Sequence, residues 1–318
     1  MYPANRNTQV VDTEEAVAAP AQGLGGRPSV VWRAKAGSPR RSQAASPAET
    51  PLVSVVIPAL NEAENLEQVL PALPDGIFEV ILVDGASVDS TVETARRLRP
   101  DIRVVQQTRS GKGNAMACGF AASRGDIIVM LDADGSADPG EIPRFVDALV
   151  NGADFAKGSR CLGGGGSADI TRIRSAGNSC LRFLVNRLCG SRYTDLCYGY
   201  NAFWAARCRP VFDLDWESPP PDENGGRLWG DGFEIETLIN MRVATAGLKV
   251  VEVPSYELCR LHGVSNLNAP RDGLRVLRTI VDEKLRVRRP RKAKRAARVK
   301  KAATGEVGAP PEVDRLAV

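Results

Sequence analysis

Histidine and closely spaced cysteines are scarce in this chain, which limits the metal and disulfide chemistry that it can support. Its 318 residues include one histidine, His262, and seven cysteines, of which no two form a Cys-x-x-Cys pair. A zinc site is therefore not expected, because zinc needs several imidazole or thiolate ligands. An odd number of cysteines without regular spacing favours reduced thiols in a cytoplasmic setting. Most of them have apolar neighbours in sequence and are expected to be small core residues.

Long apolar runs are absent too. The longest have the length of a β-strand, such as residues 127–131, whereas a helix that spans a bilayer needs about 18 consecutive apolar residues. The amino terminus lacks the apolar core of a signal peptide. We therefore expect a cytoplasmic protein that is soluble or bound peripherally to the inner face of the plasma membrane. With 43% hydrophobic residues, the chain can build one large α/β core.

Acidic residues are missing from one segment near the carboxyl terminus. From Lys284 to Lys301 the sequence has eleven lysines or arginines and no acid, although the net charge of the chain is only +4. This segment predicts contact with an anionic membrane surface, with non-specific nucleic-acid binding or a merely solubilising tail as alternatives. Because both ends lack hydrophobic periodicity, we divide the chain into a disordered leader (residues 1–51), one folded domain (52–286) and a basic, disordered tail (287–318).

Short apolar strands and helices alternate four times in the first half of the folded part. Strands are predicted at residues 53–57, 78–83, 102–105 and 127–131. The first helix is expected to be capped by Asn61. This order predicts an α/β domain whose Rossmann-like, mostly parallel sheet is flanked by helices. Ligands of such sheets bind at the carboxyl ends of the strands, where Pro58, Asp84 and Asp132 lie.

The second half of the domain has a less regular pattern. We predict short strands at residues 155–160 and 249–253, and helices at 173–188, 233–246 and 272–286. In the last of these helices the apolar positions Leu274, Leu277, Val281 and Leu285 are expected to face the core.

Two carboxylates follow the fourth strand directly, in the sequence Leu131-Asp132-Ala133-Asp134-Gly135. Acids one residue apart at a sheet edge repel each other unless a cation neutralises them. A hard divalent ion that also binds a diphosphate would do so, and Asp132 and Asp134 are therefore the predicted ligands of Mg²⁺ or Mn²⁺. A solvated turn would explain the same tripeptide, so the neighbouring loops must decide between the two interpretations.

The loops after the other strands carry further polar motifs. Residues 57–62 read Ile-Pro-Ala-Leu-Asn-Glu, residues 83–91 read Val-Asp-Gly-Ala-Ser-Val-Asp-Ser-Thr, and residues 111–113 read Gly-Lys-Gly. In order and spacing, these motifs and Asp-Ala-Asp resemble those of the family-two GT-A glycosyltransferases from residue 52 to 285. The most similar branch contains the dolichyl-phosphate mannosyltransferases and the polyprenyl-phosphate glycosyltransferases. The resemblance implies the GT-A fold for a single catalytic domain.

The resemblance also implies roles for individual residues. Contacts to the nucleotide sugar are expected from Pro58, Leu60, Glu62, Asp84, Arg109, Lys112, Asp132 and Arg260. Asp132 and Asp134 would bind the metal, and Arg160 would face a phosphate of the donor or acceptor during catalysis. The chain differs from the usual family sequence in two segments. Ala59-Leu60 replaces a segment with an aromatic residue, and Asn266 replaces a lysine.

The implied activity is that of an inverting transferase, which moves a sugar from a UDP- or GDP-sugar to an acceptor. A polyprenyl phosphate is favoured as the acceptor over a soluble small molecule or a polysaccharide. A hydroxyl acceptor would need a general base, for which Asp231, Glu234 and Asp195 are the candidates, whereas a phosphate acceptor would need none. A nucleotidyltransferase and a nucleic-acid-binding protein are the alternatives of another class, and no specific nucleic-acid partner is expected.

Overall fold

The computed structural model describes residues 50–221, 226–263 and 271–286. Nearly all of the predicted leader and the whole predicted tail lie outside these ranges, as does Asn266. The strands are β1 (Val53–Ala59), β2 (Glu79–Asp84), β3 (Arg103–Gln106), β4 (Ile127–Met130), β5 (Phe155–Ser159), β6 (Gly166–Ser167), β7 (Asn201–Trp204), β8 (Val250–Pro254) and β9 (Tyr256–Glu257). The helices are α1 (Ala63–Val69), α2 (Thr91–Leu98), α3 (Lys112–Ala122), α4 (Ile142–Val150), α5 (Arg172–Cys189), α6 (Ala205–Phe212), α7 (Ile235–Ala246) and α8 (271–286).

The main sheet contains seven of these strands in the order β3-β2-β1-β4-β7-β5-β8. Neighbouring strands are parallel except where β7 pairs with β4 and β5. Helices α1 and α4 pack on one face, and α3, α6 and α7 pack on the other. Since both faces are covered, β1, β2 and β4 can be continuous apolar runs. The predicted α/β domain with a mostly parallel sheet flanked by helices is confirmed.

The antiparallel strand β7 was not predicted from the sequence. It has only four residues, one of which is the polar Asn201, so that it shows neither alternation nor a long apolar run. Its first residue pairs with Met130 at the end of β4, and Ala202 pairs with Val129. Because β7 is antiparallel to β4, the segment before β7, which contains Gly199, lies where β4 ends and close to Asp132.

Asn61 has a different role from the helix cap that the sequence predicted. Its backbone lies in the left-handed region with φ of 57°, and its side-chain oxygen accepts a hydrogen bond from the backbone N–H of Val88 at 2.9 Å. Helix α1 begins after Glu62, without a capping side chain. Asn61 thus connects the loops that follow β1 and β2, and thereby shapes the sheet edge where the motifs meet.

The cysteines correct another expectation. All seven are free thiols, but only Cys118 and Cys208 are buried. Of the others, Cys189 is half-buried and the rest are exposed, so that the prediction of core positions was wrong for five of them. Apolar sequence neighbours did not indicate burial here: Cys180 and Cys189 lie on the outer sides of α5, where successive residues point in different directions, and Cys161, Cys197 and Cys259 lie outside the helices and strands.

Helices α5, α7 and α8 form a separate apolar cluster beside the sheet, in which Val185, Met241, Val276 and Ile280 are buried. The predicted inward face of α8 was wrong, because Leu274, Leu277, Val281 and Leu285 are exposed on the opposite side of the helix. None of the helices in the described ranges has the length and apolar composition of a segment that crosses a bilayer.

Candidate active site

A cavity of about 430 Å³ opens at the carboxyl ends of the central strands. Seven of the residues that the sequence predicted for the site line it, namely Pro58, Leu60, Glu62, Lys112, Asp132, Asp134 and Arg260. The remaining predicted residues are described but do not line it, namely Asp84, Arg109, Arg160, Asp195, Asp231 and Glu234. The structure therefore joins the metal motif, the glycine-lysine-glycine loop and the last polar segment in one place.

Lys112 connects the metal motif to helix α7. Its ammonium group lies 2.7 and 2.9 Å from the two carboxylate oxygens of Asp132, and 2.9 Å from Oε1 of Glu236. Although burial lowers the pKa of Lys112, the two carboxylates raise it above its usual range, and the side chain stays charged. Burial also raises the pKa of Glu236, which Lys112 partly offsets. Glu236, in the first turn of α7, was not among the predicted site residues.

Arg260 plays the corresponding part for the second carboxylate. Its Nη1 lies 3.3 Å from Oδ2 of Asp134, and its Nη2 forms an ion pair with Glu62. The other oxygen of Asp134 accepts hydrogen bonds from the backbone and hydroxyl groups of Ser136, at 3.0 and 2.7 Å. Burial raises the pKa of Glu62, and the nearby charge of Asp134 adds to this, while Asn65 and Arg260 lower it. Asp132 and Asp134 thus each have a cation beside them.

The donor set of the metal motif fits a divalent ion that is shared with a phosphate ligand. The described residues contain no cluster of three or more potential metal-binding side chains, so the chain itself offers the two carboxylates of Asp132 and Asp134. Mg²⁺ in proteins is commonly held by one or two carboxylates, with phosphate oxygens and water completing its coordination. Two hard oxygen ligands at the wall of an open cavity match this mode.

The glycines of the Gly-Lys-Gly motif allow two backbone segments to touch. Gly111 has φ of 121°, and the N–H of Gly113 donates to the carbonyl of Asp231 at 2.8 Å. A Cβ atom at Gly113 would lie 1.8 Å from the carbonyl oxygen of Gly230, so no other residue fits without moving the backbone. This close contact holds Lys112 at the start of α3 and beside Asp132.

Arg109 and Asp231 were predicted for different tasks, but the structure pairs them with each other. Nε and Nη2 of Arg109 donate to the two carboxylate oxygens of Asp231 at 2.8 and 2.9 Å, and both side chains are buried. Arg109 also donates to the carbonyls of Asp215 and Ser218, each at 2.6 Å. Asp231 accepts a further bond from the N–H of Leu228. With all these contacts made inside the protein, the pair joins the Gly-Lys-Gly loop to the segment before α7.

Asp84 lies at the end of β2, behind the cavity wall. It accepts hydrogen bonds from the backbone N–H of Ser87 at 3.3 Å and from Nε2 of Gln106 at 3.0 Å. Its neighbours Gly85 and Gln107 line the cavity instead. The structure therefore places Asp84 where it shapes the loops around the predicted nucleotide pocket.

Arg160 and Asp195 form a second buried ion pair outside the cavity lining. Nε and Nη2 of Arg160 donate to the Asp195 carboxylate at 2.7 and 3.0 Å, Nη1 donates to Glu257 at 3.0 Å, and the guanidinium group stacks on Tyr198. Burial alone would raise the pKa of Asp195, but the hydrogen bonds and charge of Arg160 lower it to about 2. A carboxylate this acidic is a poor proton acceptor, which argues against Asp195 as a general base.

Glu234 is the one general-base candidate with an oxygen that is still available. Its Oε1 accepts hydrogen bonds from the N–H groups of Gly230 and Gly232, both at 3.2 Å. Its Oε2 is buried and has no hydrogen-bond partner among the described residues. A Cβ atom at Gly232, which lines the cavity, would lie 2.3 Å from Oε2 and 3.2 Å from Nη1 of Arg275. The glycine therefore leaves the space into which the carboxylate points.

Three arginines of the cavity lining were missed in the sequence, namely Arg227, Arg271 and Arg275. They lie beyond the motifs of the first half: Arg227 is in a loop, Arg271 precedes the predicted helix at residues 272–286, and Arg275 lies within it. Nε of Arg227 donates to the hydroxyl group of Ser110 at 3.2 Å. Arg271 and Arg275 belong to the first turns of α8. Together with Lys112 and Arg260, they make the cavity wall rich in cations, as a site for a diphosphate requires.

Comparison with known proteins agrees with this geometry. Residues 54–209 match the family described as glycosyl transferase family 2. The chain is 33% identical over 229 residues to an undecaprenyl-phosphate mannosyltransferase of Micrococcus luteus, which covers 68% of this chain and 87% of the relative. It is 31% identical over 225 residues to a dolichol-phosphate mannosyltransferase of Pyrococcus furiosus, covering 68% of this chain and 59% of the relative. The chain thus spans about three fifths of the length of the archaeal protein.

Solved structures share the fold. The glucosyl-3-phosphoglycerate synthase of Mycobacterium tuberculosis, in complex with Mn²⁺, UDP-glucose and phosphoglyceric acid, superposes with a TM-score of 0.56 at 23% identity, over 74% of this chain and 80% of that chain. The same synthase has been solved with Mg²⁺ and UDP, and superposes with a TM-score of 0.54 at 22% identity, over 73% and 79% of the two chains. The fold is GT-A, as the motifs implied. On the family match and on the 33% identity to a relative of which it covers 87%, the chain belongs to glycosyl transferase family 2 and is a glycosyltransferase.

Proposed function

We propose that this protein transfers a sugar from a UDP- or GDP-sugar to a polyprenyl phosphate, with inversion at the anomeric carbon and with Mg²⁺ or Mn²⁺ as cofactor. The observation that carries the proposal is the pairing of Asp132 and Asp134 with Lys112 and Arg260 at the wall of one cavity. The relatives named for undecaprenyl phosphate and dolichol phosphate support the acceptor. We also propose that the reaction takes place at the cytoplasmic face of the membrane.

The cations of the cavity would stabilise the departing nucleoside diphosphate. The bond from the anomeric carbon to the diphosphate oxygen breaks, and negative charge develops on that oxygen. Lys112 and Arg260 supply fixed positive charge where it develops, and Arg227, Arg271 and Arg275 add to it. A divalent ion held by Asp132 and Asp134 would supply Lewis-acid stabilisation of the same charge. Pro58, Leu60 and Glu62 line the part of the cavity assigned to the nucleoside.

The acceptor determines whether a base is needed. A phosphate monoester is already an anion and can attack the anomeric carbon from the face opposite the diphosphate without losing a proton. A hydroxyl group must transfer its proton, for which Glu234 has the available oxygen, while both oxygens of Asp231 and of Asp195 have donors. Transfer to a soluble hydroxyl acceptor is therefore the second candidate, and the synthase with phosphoglyceric acid is the precedent for it. Family membership favours a glycosyltransferase over the nucleotidyltransferase alternative.

Donor binding tests the proposed site. Titration calorimetry of the whole chain with UDP, GDP and their hexose conjugates should give one nucleotide that binds more tightly with Mn²⁺ than with EDTA. Asp134→Ala should abolish this dependence on the metal, with an unchanged melting temperature, because Asp134 is partly exposed at the cavity wall. Asp169→Ala, which removes an exposed carboxylate of a surface ion pair, is the matched control and should bind as the wild type. Metal-dependent binding to Asp134→Ala would refute the assigned role.

A further inference from the structure

The outward face of helix α8 carries a continuous apolar stripe. Leu274, Leu277, Val281 and Leu285 are 69%, 41%, 49% and 46% exposed. They are spaced by three or four residues, and therefore lie along one side of the helix over three turns. The outer side of a surface helix is normally polar, and a row of exposed aliphatic side chains usually marks a contact surface.

The stripe is not left over from an unfilled core, because the opposite side of α8 already packs inward. Val276 and Ile280 are buried in the cluster with α5 and α7, and Thr279 is fully buried between them. Glu283 is buried on the same side and accepts a hydrogen bond from Nη2 of Arg242 at 2.7 Å. The two faces of α8 thus differ in partner: one contacts the domain, and among the described residues 50–221, 226–263 and 271–286 none covers the leucines of the other.

The two ends of α8 place this stripe between the active site and a basic segment. At the amino-terminal end, Arg271, Asp272 and Arg275 line the cavity. At the other end, the sequence from Lys284 to Lys301 has eleven cations and no acid. An apolar helix face next to a run of cations is the combination that binds at the interface of an anionic bilayer, because lipid chains cover the apolar side chains and headgroups neutralise the cations.

We infer that the outward face of α8, defined by Leu274, Leu277, Val281 and Leu285, docks on a bilayer that contains anionic phospholipid. This docking surface is separate from the proposed transfer, because it needs neither donor nor metal. If the protein docks in this way and also uses a lipid acceptor, the residues of α8 that line the cavity lie within one turn of Leu274, at the end of the stripe. A membrane-embedded phosphate would then reach the cavity without leaving the bilayer.

Vesicle flotation of the whole chain, without nucleotide or metal, tests this surface. Wild-type protein should float with vesicles of phosphatidylcholine that contain about 30 mol% phosphatidylglycerol at about 0.15 M salt, and float less with phosphatidylcholine alone. The double variant L277Q/V281Q should bind the anionic vesicles about tenfold more weakly or worse, because two buried aliphatic groups are lost from the interface. Val88→Gln is the matched control, since Val88 is 91% exposed in the loop after β2, and it should bind as the wild type.

The remaining outcomes overturn the inference. Equal flotation of L277Q/V281Q and wild type shows that the stripe does not contact lipid. A wild-type dimer in light scattering that L277Q/V281Q converts to a monomer, without vesicle binding, shows that a second copy covers it. If L277Q/V281Q fails to fold, judged by its melting temperature, the independent pair L274Q/L285Q replaces it. Sugar transfer to a short-chain, water-soluble acceptor phosphate is measured in parallel. Because this assay needs no membrane, it tests the proposed transfer independently of vesicle binding.

Discussion

Lys112 neutralises two carboxylates that would otherwise repel each other in a poorly hydrated part of the cavity. Lys112→Met should therefore destabilise the fold, by about 3 kcal/mol, because Asp132 and Glu236 are left without their cation. The double variant K112M/E236Q should recover part of this loss in urea unfolding, since only one acid remains. Transfer should stay impaired in both variants, because the charge that stabilises the leaving diphosphate is missing. Wild-type transfer by K112M/E236Q would contradict the role given to Lys112.

Glu234 separates the two possible acceptor chemistries. In Glu234→Gln the side-chain oxygen can still accept the hydrogen bonds of Gly230 and Gly232, whereas the group can no longer take a proton. With polyprenyl phosphate the variant should keep kcat within about threefold of the wild type, and with a hydroxyl acceptor kcat should fall about 100-fold or more. Initial rates with both acceptor classes provide the measurement. An equally large loss with the phosphate acceptor would show that Glu234 acts in some other way.

Gly113 tests the contact between the Gly-Lys-Gly loop and the segment before α7. Gly113→Ala should lower the unfolding free energy by about 2 kcal/mol or more and weaken nucleotide binding, because the new methyl group overlaps the carbonyl of Gly230. Gly177→Ala is the control, since apart from the adjoining backbone of α5 no described atom lies within 4 Å of its Cβ position. That variant should be more stable by about 0.5 kcal/mol, as expected for alanine in a helix. Equal stability of the two variants would contradict the close packing at Gly113.

At the level of single residues, the sequence predicted the site residues that directly follow strands. It did not predict the ion pairs between residues that are distant in sequence. Asp132 and Lys112 lie directly after a strand or in a tight turn, and their convergence follows from the rule for parallel sheets. Arg109 and Asp231 are 122 positions apart, and no sequence signal indicates that they bind each other. Arg271 entered the site only through the tertiary position of α8.

For the secondary-structure elements, the alternation of strands and helices along the chain was a better guide than the spacing of apolar residues within a helix. The parallel strands were predicted because buried strands are apolar throughout, whereas the four-residue strand β7 lacked that signal. In α8 both sides carry aliphatic residues. The sequence prediction took the stripe with Leu274 and Leu277 as the inward one, but this stripe is exposed, and Val276 and Ile280 on the other side are buried.

Glu79 connects the amino-terminal ends of three neighbouring strands, β1, β2 and β3, and makes the stability of the fold sensitive to acid. It accepts hydrogen bonds from Ser54 on β1, Arg103 on β3 and Arg124 after α3. Burial alone would raise the pKa of Glu79, but these bonds lower it from 4.5 to about 2. A carboxyl group whose pKa is lower in the folded state stabilises the fold above its unfolded pKa, and this contribution is lost as the pH falls from 4.5 to about 2.

Removing this carboxylate should therefore change the pH dependence of stability. Glu79→Gln should be less stable than wild type by about 2 kcal/mol at neutral pH, and the difference should shrink as the pH falls toward 2. Urea unfolding at a series of pH values measures it. Glu67→Gln, which breaks the exposed ion pair with Arg97, should differ from wild type by less than about 0.5 kcal/mol throughout. A Glu79→Gln curve parallel to that of the wild type would rule out the coupling.

For the molecule as a whole, the site is formed at the carboxyl ends of the central parallel strands. Six strands point the same way, and β7 enters from the opposite side, so that loops from both halves of the domain meet above β1 and β4. This arrangement gathers four carboxylates and five cations around about 430 Å³ of space. The cations of the cavity suit a diphosphate, and its lining continues into the first turns of α8 with Arg271 and Arg275.

Transfer of a labelled sugar tests the central claim most directly. The whole chain is incubated with radiolabelled UDP- or GDP-hexoses, undecaprenyl phosphate in detergent, and Mn²⁺ or EDTA, and label in the lipid phase is counted. We expect one donor to label the lipid with Mn²⁺, and we expect EDTA or Asp132→Asn to reduce the rate by about 100-fold or more. No transfer from any donor to either lipid phosphate or hydroxyl acceptors, or undiminished transfer by Asp132→Asn in EDTA, would contradict the account.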